Sequence, residues 1–370
     1  MKTTLKSVFL AFCALIAPAM ADTTVSAAAH PEDPIKPGGT AVWTPLFQST
    51  WDGMNVRLGG TASKVEPPNA LMTKLDSFQW DARSVMPRNG FKTWADIATR
   101  GFVDRVGKEA RDMLPRIPAD WLEVEEDRQA VLAVSVLNRN LDFARPFPRY
   151  DRTPMGFDGS PPENGFLYFG VMKESCVNYI DSVEVLRWSR DSFTISISTK
   201  QPGETVLLHL PRKPSSFHDA CETLRNLRKL PEAGADQSAV KTENNRLAAV
   251  DTLAVPFVTI ESNQDFTSRL AGRRTHPGID EPVVVRKAKQ FVSFRMDQGG
   301  AKVEGAALLS SGWGVDEVTP RRFVFDRPFF IFLWRDKAEW PYFGAWIGDS
   351  SALVPFPTKP APQTSPPNNE

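Results

Sequence analysis

Residues 291–333 read FVSFRMDQGGAKVEGAALLSSGWGVDEVTPRRFVFDRPFFIFL, and this stretch decides how the rest of the chain is read. At its start Phe291, Ser293 and Arg295 alternate with Val292, Phe294 and Met296, a strand pattern. At its end, 323–333 is an apolar run broken only by Asp326, Arg327 and Pro328. Both ends therefore predict sheet core. Between them Ala301, Val303, Gly305, Ala307 and Leu309 share one parity, and Lys302, Glu304, Ala306, Leu308 and Ser310 share the other. Period two with small side chains is also a strand pattern. Yet the flexible Ser310–Ser311–Gly312–Trp313–Gly314 follows it, and the next rigid anchor is Pro320. A strand pattern carried in a long loop suggests a strand waiting for a place in a sheet. An ordinary surface loop whose alternation is accidental is the other reading.

The physics of insertion fits the first reading. A strand entering the middle of a sheet must present small or apolar groups to the packed face. Ala301, Val303, Gly305, Ala307 and Leu309 do so, while Lys302 and Glu304 would lie on the solvated face.

Two blocks in this stretch resemble those of a known family. FVFDRPFFIFL at 323–333 looks like the serpin signature, carried here by Phe323, Phe325, Asp326, Arg327, Pro328 and Phe329. MDQGGAKVEGAALL at 296–309 resembles the serpin hinge, with its turn at Gln298, Gly299 and Gly300. The separation of the two blocks is within a few residues of the family's. Upstream, Phe143–Ala144–Arg145–Pro146–Phe147, after the apolar strand 130–136, looks like the close of the third strand of the family's main sheet. Trp94, Thr99, Gly101 and Val103 have the spacing of the helix before that strand, and 250–270 resembles the later strand and following helix.

The resemblance implies an α+β fold: a large mixed or antiparallel main sheet, smaller sheets, helices packed around them and an exposed reactive loop. It implies a suicide-substrate inhibitor. A serine or cysteine protease would attack a loop bond and form an acyl-enzyme, and the freed segment would then insert into the main sheet and distort the protease. The family's usual spacing from the hinge turn places the cut near Gly314–Val315, within a candidate region of Trp313, Gly314, Val315, Asp316 and Glu317. The hinge departs from the family in lacking its Thr and alanine run; Val303 and Glu304 are bulkier than inhibitory members usually carry. At the other end, Phe343–Gly344–Ala345–Trp346 replaces the family's Phe-x-Gly-Arg ending. A serpin-fold binding or structural protein that keeps the loop without using it is the alternative.

Composition frames this reading. With 370 residues at 41% apolar composition the chain can build a large core, and a formal charge of zero suggests no nucleic-acid partner. Lys2 and Lys6 precede an apolar run at 8–16, and Ala19–Met20–Ala21 offers a small-x-small cleavage site. Residues 1–21 thus read as a secretory leader, too short in its apolar run to span a bilayer, which sends the chain to the periplasm or outside the cell. Cys13, after Leu10–Ala11–Phe12, is lipobox-like but follows little apolar sequence. The divisions expected are 1–21 leader, 22–89 divergent segment, 90–356 serpin-like domain and 357–370 disordered tail, in a monomer without a membrane span.

Along the chain, Pro31, Pro34 and Pro37 mark an extended lead-in, and 43–58 holds one short helix or strand before a polar break at 65–68. The family carries several helices here, including a buried one behind the main sheet, and its Ser-Pro-rich start is not found. Trp94, Ile97, Ala98, Phe102, Val106 and Met113 predict one or two helices over 92–114. Residues 150–165 read as a loop, 179–185 and 193–198 as strands, 199–210 as the return of a hairpin, and 216–230 as a helix.

No catalytic set emerges. There is no G-x-S-x-G, Walker loop, H-E-x-x-H or C-x-x-C, so no enzyme and no cofactor are expected. His209 and His218 could form part of a metal site or be satisfied and solvated side chains. Asp316 and Glu317 are adjacent in a loop, which does not suit a carboxylate pair. After leader removal Cys176 and Cys221 remain, as a disulfide or as two buried thiols.

Overall fold

A computed structural model describes residues 25–36, 38–118, 126–161, 163, 165–213, 216–228, 245–299 and 320–357. The first third holds β1 (Ser26–Ala28), β2 (Ala41–Trp43), α1 (Leu46–Arg57), β3 (Lys64–Glu66), α2 (Ala70–Ser77), α3 (Ala82–Val85), β4 (Phe91–Ala98) and α4 (Arg100–Met113). The middle holds β5 (Asp127–Leu137), β6 (Arg149–Met155), β7 (Phe166–Met172), β8 (Val183–Ser189), β9 (Ser192–Ser198), β10 (Glu204–Leu210) and α5 (Phe217–Arg228). The last part holds β11 (Thr252–Pro256), β12 (Val258–Asp265), β13 (Arg273–Thr275), β14 (Val283–Val284), β15 (Lys289–Met296), β16 (Arg322–Val324), β17 (Phe329–Arg335) and β18 (Phe343–Ile347).

The strands form a seven-stranded sheet in the order β1-β2-β18-β17-β10-β9-β8 and a four-stranded sheet in the order β16-β11-β7-β6. Two-stranded ribbons β4-β5 and β12-β15 and a small sheet β14-β13-β3 complete them. The unbroken apolar run of β17 is explained by its place: it lies between β10 and β18 and is buried on both faces. Phe217 of α5 packs against Phe330 and Phe332, and Trp346 of β18 lies 4.6 Å from Phe330. Gly344 admits the Phe332 ring, for a Cβ there would stand 2.9 Å from its Cε1. The β9–β10 hairpin closes as its sequence predicts, with Thr199 Oγ1 donating to the Glu204 carbonyl at 2.7 Å.

Three readings change. Residues 92–114 are half strand: β4 pairs antiparallel with β5 from Phe91↔Leu137 to Ile97↔Val131, and only α4 is helical. The spacing of Trp94, Ile97 and Ala98 mimics a helix face, and pairing with β5 overrides it. The 150–165 loop gives its first part to β6, an edge strand that tolerates Pro154 and pairs irregularly with β7. The 179–185 strand begins only at Val183, because Lys173–Tyr179 is a 3-10 helix.

The lead-in contains α1 despite lacking a Ser-Pro-rich start. Phe47, Gln48, Ser49, Trp51 and Asn55 of this helix are buried. It lies directly against the β4–β5 ribbon: a Cβ at Gly53 would stand 3.2 Å from Thr93 Cγ2.

Candidate functional site

Among the described residues β5 pairs only with β4, and β15 only with β12. Each therefore leaves one edge without a strand partner, and a cavity of about 830 Å³ lies between them. Phe47 and Trp51 of α1, Val106 of α4, Ala133 of β5 and Phe291 of β15 line it. The cavity touches two separate apolar clusters. One contains Phe47, Trp51 and Leu270; the other contains Trp94, Phe102, Val106 and Val134. A row of hydroxyls crosses from the helix into the ribbon: Ser49 Oγ lies 2.7 Å from Thr93 Oγ1, which lies 2.9 Å from Ser135 Oγ.

The segment joining β15 to β16 is held at both ends. At its start Phe147 N–H donates to the Gln298 carbonyl at 2.8 Å, and Gly299 N–H donates to Asp297 Oδ1 at 3.0 Å. At its far end the buried Asp251 carboxylate accepts from the Arg321 backbone N–H at 3.0 Å and from Arg321 Nη2 at 2.7 Å. The next residues form β16, paired parallel with β11. Gly300, Ala301, Val303, Gly305, Ala307 and Leu309, and the candidate cut residues Trp313, Gly314, Val315, Asp316 and Glu317, lie outside the described residues.

No family model and no curated protein matches this sequence. Solved structures do match its fold. Human thyroxine-binding globulin, solved as a complex with its hormone, aligns at 10% identity over 85% of this chain and 93% of its own, with a TM-score of 0.50. This chain has the serpin fold. Human glycosylated kallistatin matches at 13% identity over 85% of this chain and 92% of its own, again with a TM-score of 0.50. Tengpin, a thermophilic serpin in its native state, matches at 7% identity over 84% and 89% of the two chains, with a TM-score of 0.50.

In this serpin fold, Phe323, Phe325 and Phe329 are fully buried. Phe193 of β9 packs edge-on to Phe323 at 5.5 Å and to Phe325 at 5.0 Å. Asp158 N–H donates to the Asp326 carbonyl at 2.7 Å, Arg327 Nη2 donates to the Arg190 carbonyl at 3.3 Å, and Pro328 directly precedes β17. These residues span from β16 of the four-stranded sheet to β17 of the seven-stranded one, so what they do here is pack and join the two sheets.

His209 and His218 do not form a metal site. His209 is buried on β10 with Nδ1 2.8 Å from Thr194 Oγ1 and its ring stacked near Phe330; burial, then the nearby Arg187 charge, lowers its pKa to about 4. His218 on α5 lies beside Trp340, 5.7 Å between ring centroids. Among the described residues no group of three or more His, Cys, Asp or Glu side chains is placed to hold a metal. Cys176 and Cys221 are free, buried thiols; Cys176 Sγ donates to the Asp251 carbonyl at 3.2 Å, and burial pushes its pKa up to about 12.

Several residues around the cleft and at the far end of the loop segment carry no signal in the sequence. Ser49, Thr93 and Ser135 come from three elements, and Asp251 and Arg321 from either side of the loop segment. The Phe143–Phe147 block reads in sequence as the close of a main-sheet strand, with no sign that Gln298 is its partner.

Proposed function

We propose that this serpin-fold protein is an exported inhibitor of a serine or cysteine protease, working as a monomer through loop cleavage and strand insertion. One observation carries the reading: β5 and β15 each have one edge without a strand partner among the described residues, a cavity lies between them at the start of β15, and the 301–309 segment continues from that strand's other end. The protease nucleophile would attack the carbonyl of a bond within 313–317, releasing the new amino terminus and keeping the 301–313 side as an acyl-enzyme. Segment 301–309 would then enter between β5 and β15, carrying the protease with it.

Magnitudes locate the driving force. New ladder hydrogen bonds contribute about 1 kcal/mol each, and ordering the segment costs about 1–2 kcal/mol per residue, so the two roughly offset. The sign is then set by apolar burial, which insertion would supply by filling the cavity between the two clusters. The 1–21 leader accounts for export, and no helix among the described residues is long and apolar enough to cross a membrane.

The size of Val303 and Glu304 favours a second reading, a binding protein that keeps its loop uninserted. One experiment separates them. The mature protein is nicked within 310–319 by a panel of proteases, its melting temperature is measured before and after, and the same samples are run on denaturing gels. A large rise in melting temperature with a detergent-resistant protease adduct is the expected result. No rise and no adduct would sink the inhibitor reading and leave the binding protein.

A further inference from the structure

The chain has four tyrosines, and two of them are stacked on each other. Tyr179 gives its hydroxyl to the Pro146 carbonyl at 2.8 Å, and Tyr342 gives its own to Glu204 Oε2 at 2.9 Å. The hydroxyls of Tyr150 and Tyr168 are tied to no protein acceptor among the described residues. These two face each other across the four-stranded sheet. Tyr150 of β6 stands directly opposite Tyr168 of β7, with ring centroids 4.8 Å apart and ring planes 7° from parallel. Rings arranged in this way touch through their carbon atoms, at about 3.5–4.0 Å. The pair belongs to a small cluster with Met155, Ala254 and Val324, separate from the main core. Tyr168 is 7% exposed, whereas Tyr150 is half-buried on the outer strand of its sheet. A reagent in solution therefore meets Tyr150 first and reaches Tyr168 through it. The outer strand also has room to adjust, because its ladder with β7 is irregular between Tyr150 and Met155, where Pro154 lacks an N–H.

We propose that Tyr150 and Tyr168 form an oxidative crosslinking site, at which a peroxide-fed haem peroxidase joins them into a dityrosine linking β6 to β7. Burial raises the pKa of both phenols, so each is protonated at neutral pH and its proton leaves with the electron. Tyr150 first gives an electron to the oxidant and its hydroxyl proton to water, becoming a phenoxyl radical. Tyr168 refills it across the stack with an electron and a proton, and becomes the radical in turn. A second oxidation of Tyr150 then leaves two radicals face to face. One carbon ortho to each hydroxyl bonds to the other, and the hydrogen on each of these carbons moves to its ring oxygen, restoring both phenols. In net, two electrons and two protons leave the pair and one carbon–carbon bond forms, while hydrogen peroxide is reduced to two waters. The site depends on the β6–β7 pairing and not on loop cleavage, so it stands or falls separately from the proposed function.

The test treats dilute, uncut mature protein with a haem peroxidase and hydrogen peroxide, and couples free N-acetyltyrosine in parallel to verify the oxidant. The expected product is a monomer that has lost two hydrogens and shows dityrosine fluorescence. After digestion, the peptides carrying Tyr150 and Tyr168 should appear as one joined species. Tyr150→Phe and Tyr168→Phe each keep the ring and its stacking but lack the phenol, and each should abolish that product. Tyr179→Phe should leave it in place. Cooperative unfolding of each variant verifies its fold. The proposal is overturned if conditions that couple N-acetyltyrosine leave the monomer without dityrosine, or if tyrosines are joined only between chains. Survival of the intrachain product in Tyr150→Phe or in Tyr168→Phe would overturn it as well.

Discussion

The backbone N–H of Phe147 donates to the carbonyl of Gln298 at 2.8 Å, tying the block that follows β5 to the turn that follows β15. The ring of Phe147 makes the tie rigid: it stacks on Tyr179 at 4.8 Å and meets Phe143 and Phe169 at 5.4 and 5.5 Å. Phe147→Ala is therefore expected to lose about 3–5 kcal/mol in urea unfolding. It should also speed proteolysis after Met296 in the folded protein, because the turn loses its fixed acceptor contact. Phe147→Leu, which refills most of the volume, should recover most of the stability. An alanine variant as stable as wild type would show that this tie is incidental.

Ser49, Thr93 and Ser135 form a hydroxyl chain from α1 through β4 to β5. Thr93→Val keeps the shape and removes the central partner, stranding two hydroxyls, one of them on each side. The expected cost is about 1–3 kcal/mol. In a double-mutant cycle, Ser49→Ala and Ser135→Ala should couple through Thr93 by about 0.5 kcal/mol or more. Strict additivity would mean that the three hydroxyls act independently.

His209 sets a pH dependence. Its pKa in the fold is about 4, lowered first by burial, against about 6.5 in an unfolded chain. Between these values the unfolded chain takes up a proton that the folded chain refuses. The contribution is thus fully present above pH 6.5 and is lost as pH falls toward 4, to a total of about 3 kcal/mol. Burial lowers the pKa of His30 and His276 too, adding slope of the same sign. Urea unfolding of His209→Gln from pH 7 to 4.5 should show a flatter decline than wild type. An unchanged slope would exclude His209 as a source of acid sensitivity.

What the sequence discloses follows from how local each signal is. The β9–β10 hairpin, β15, and the break at Asp326–Arg327–Pro328 before β17 are legible because alternation and turn residues lie within a few positions. β4 is not, since Trp94, Ile97 and Ala98 satisfy a helical period and only pairing with β5 settles the matter. α1 is faint because its buried set mixes Phe47 and Trp51 with Gln48, Ser49 and Asn55, which blurs the apolar period. The cleft depends on the absence, among the described residues, of a pairing between β5 and β15, which no single stretch of sequence records.

The far end of the loop segment rests on a buried charge. Asp251 is fully buried, and its carboxylate accepts from the Ala248 N–H at 2.7 Å as well as from the backbone and guanidinium of Arg321. Its own carbonyl accepts from Lys173 N–H at 2.9 Å and from Cys176 Sγ. β16 is a three-residue edge strand, too short to hold its end of the segment by ladder bonds alone. Arg321→Met leaves the carboxylate buried without its cation, and a loss of about 3–5 kcal/mol is expected. Asp251→Asn keeps the volume and one acceptor but removes the charge, so combined with Arg321→Met it should cost less than the sum of the singles. Limited proteolysis of folded Arg321→Met should then show new cleavage at 321–324, reporting release of β16 from β11. If the strand stays protected while global stability falls, the clamp supports the core and not the loop's exit.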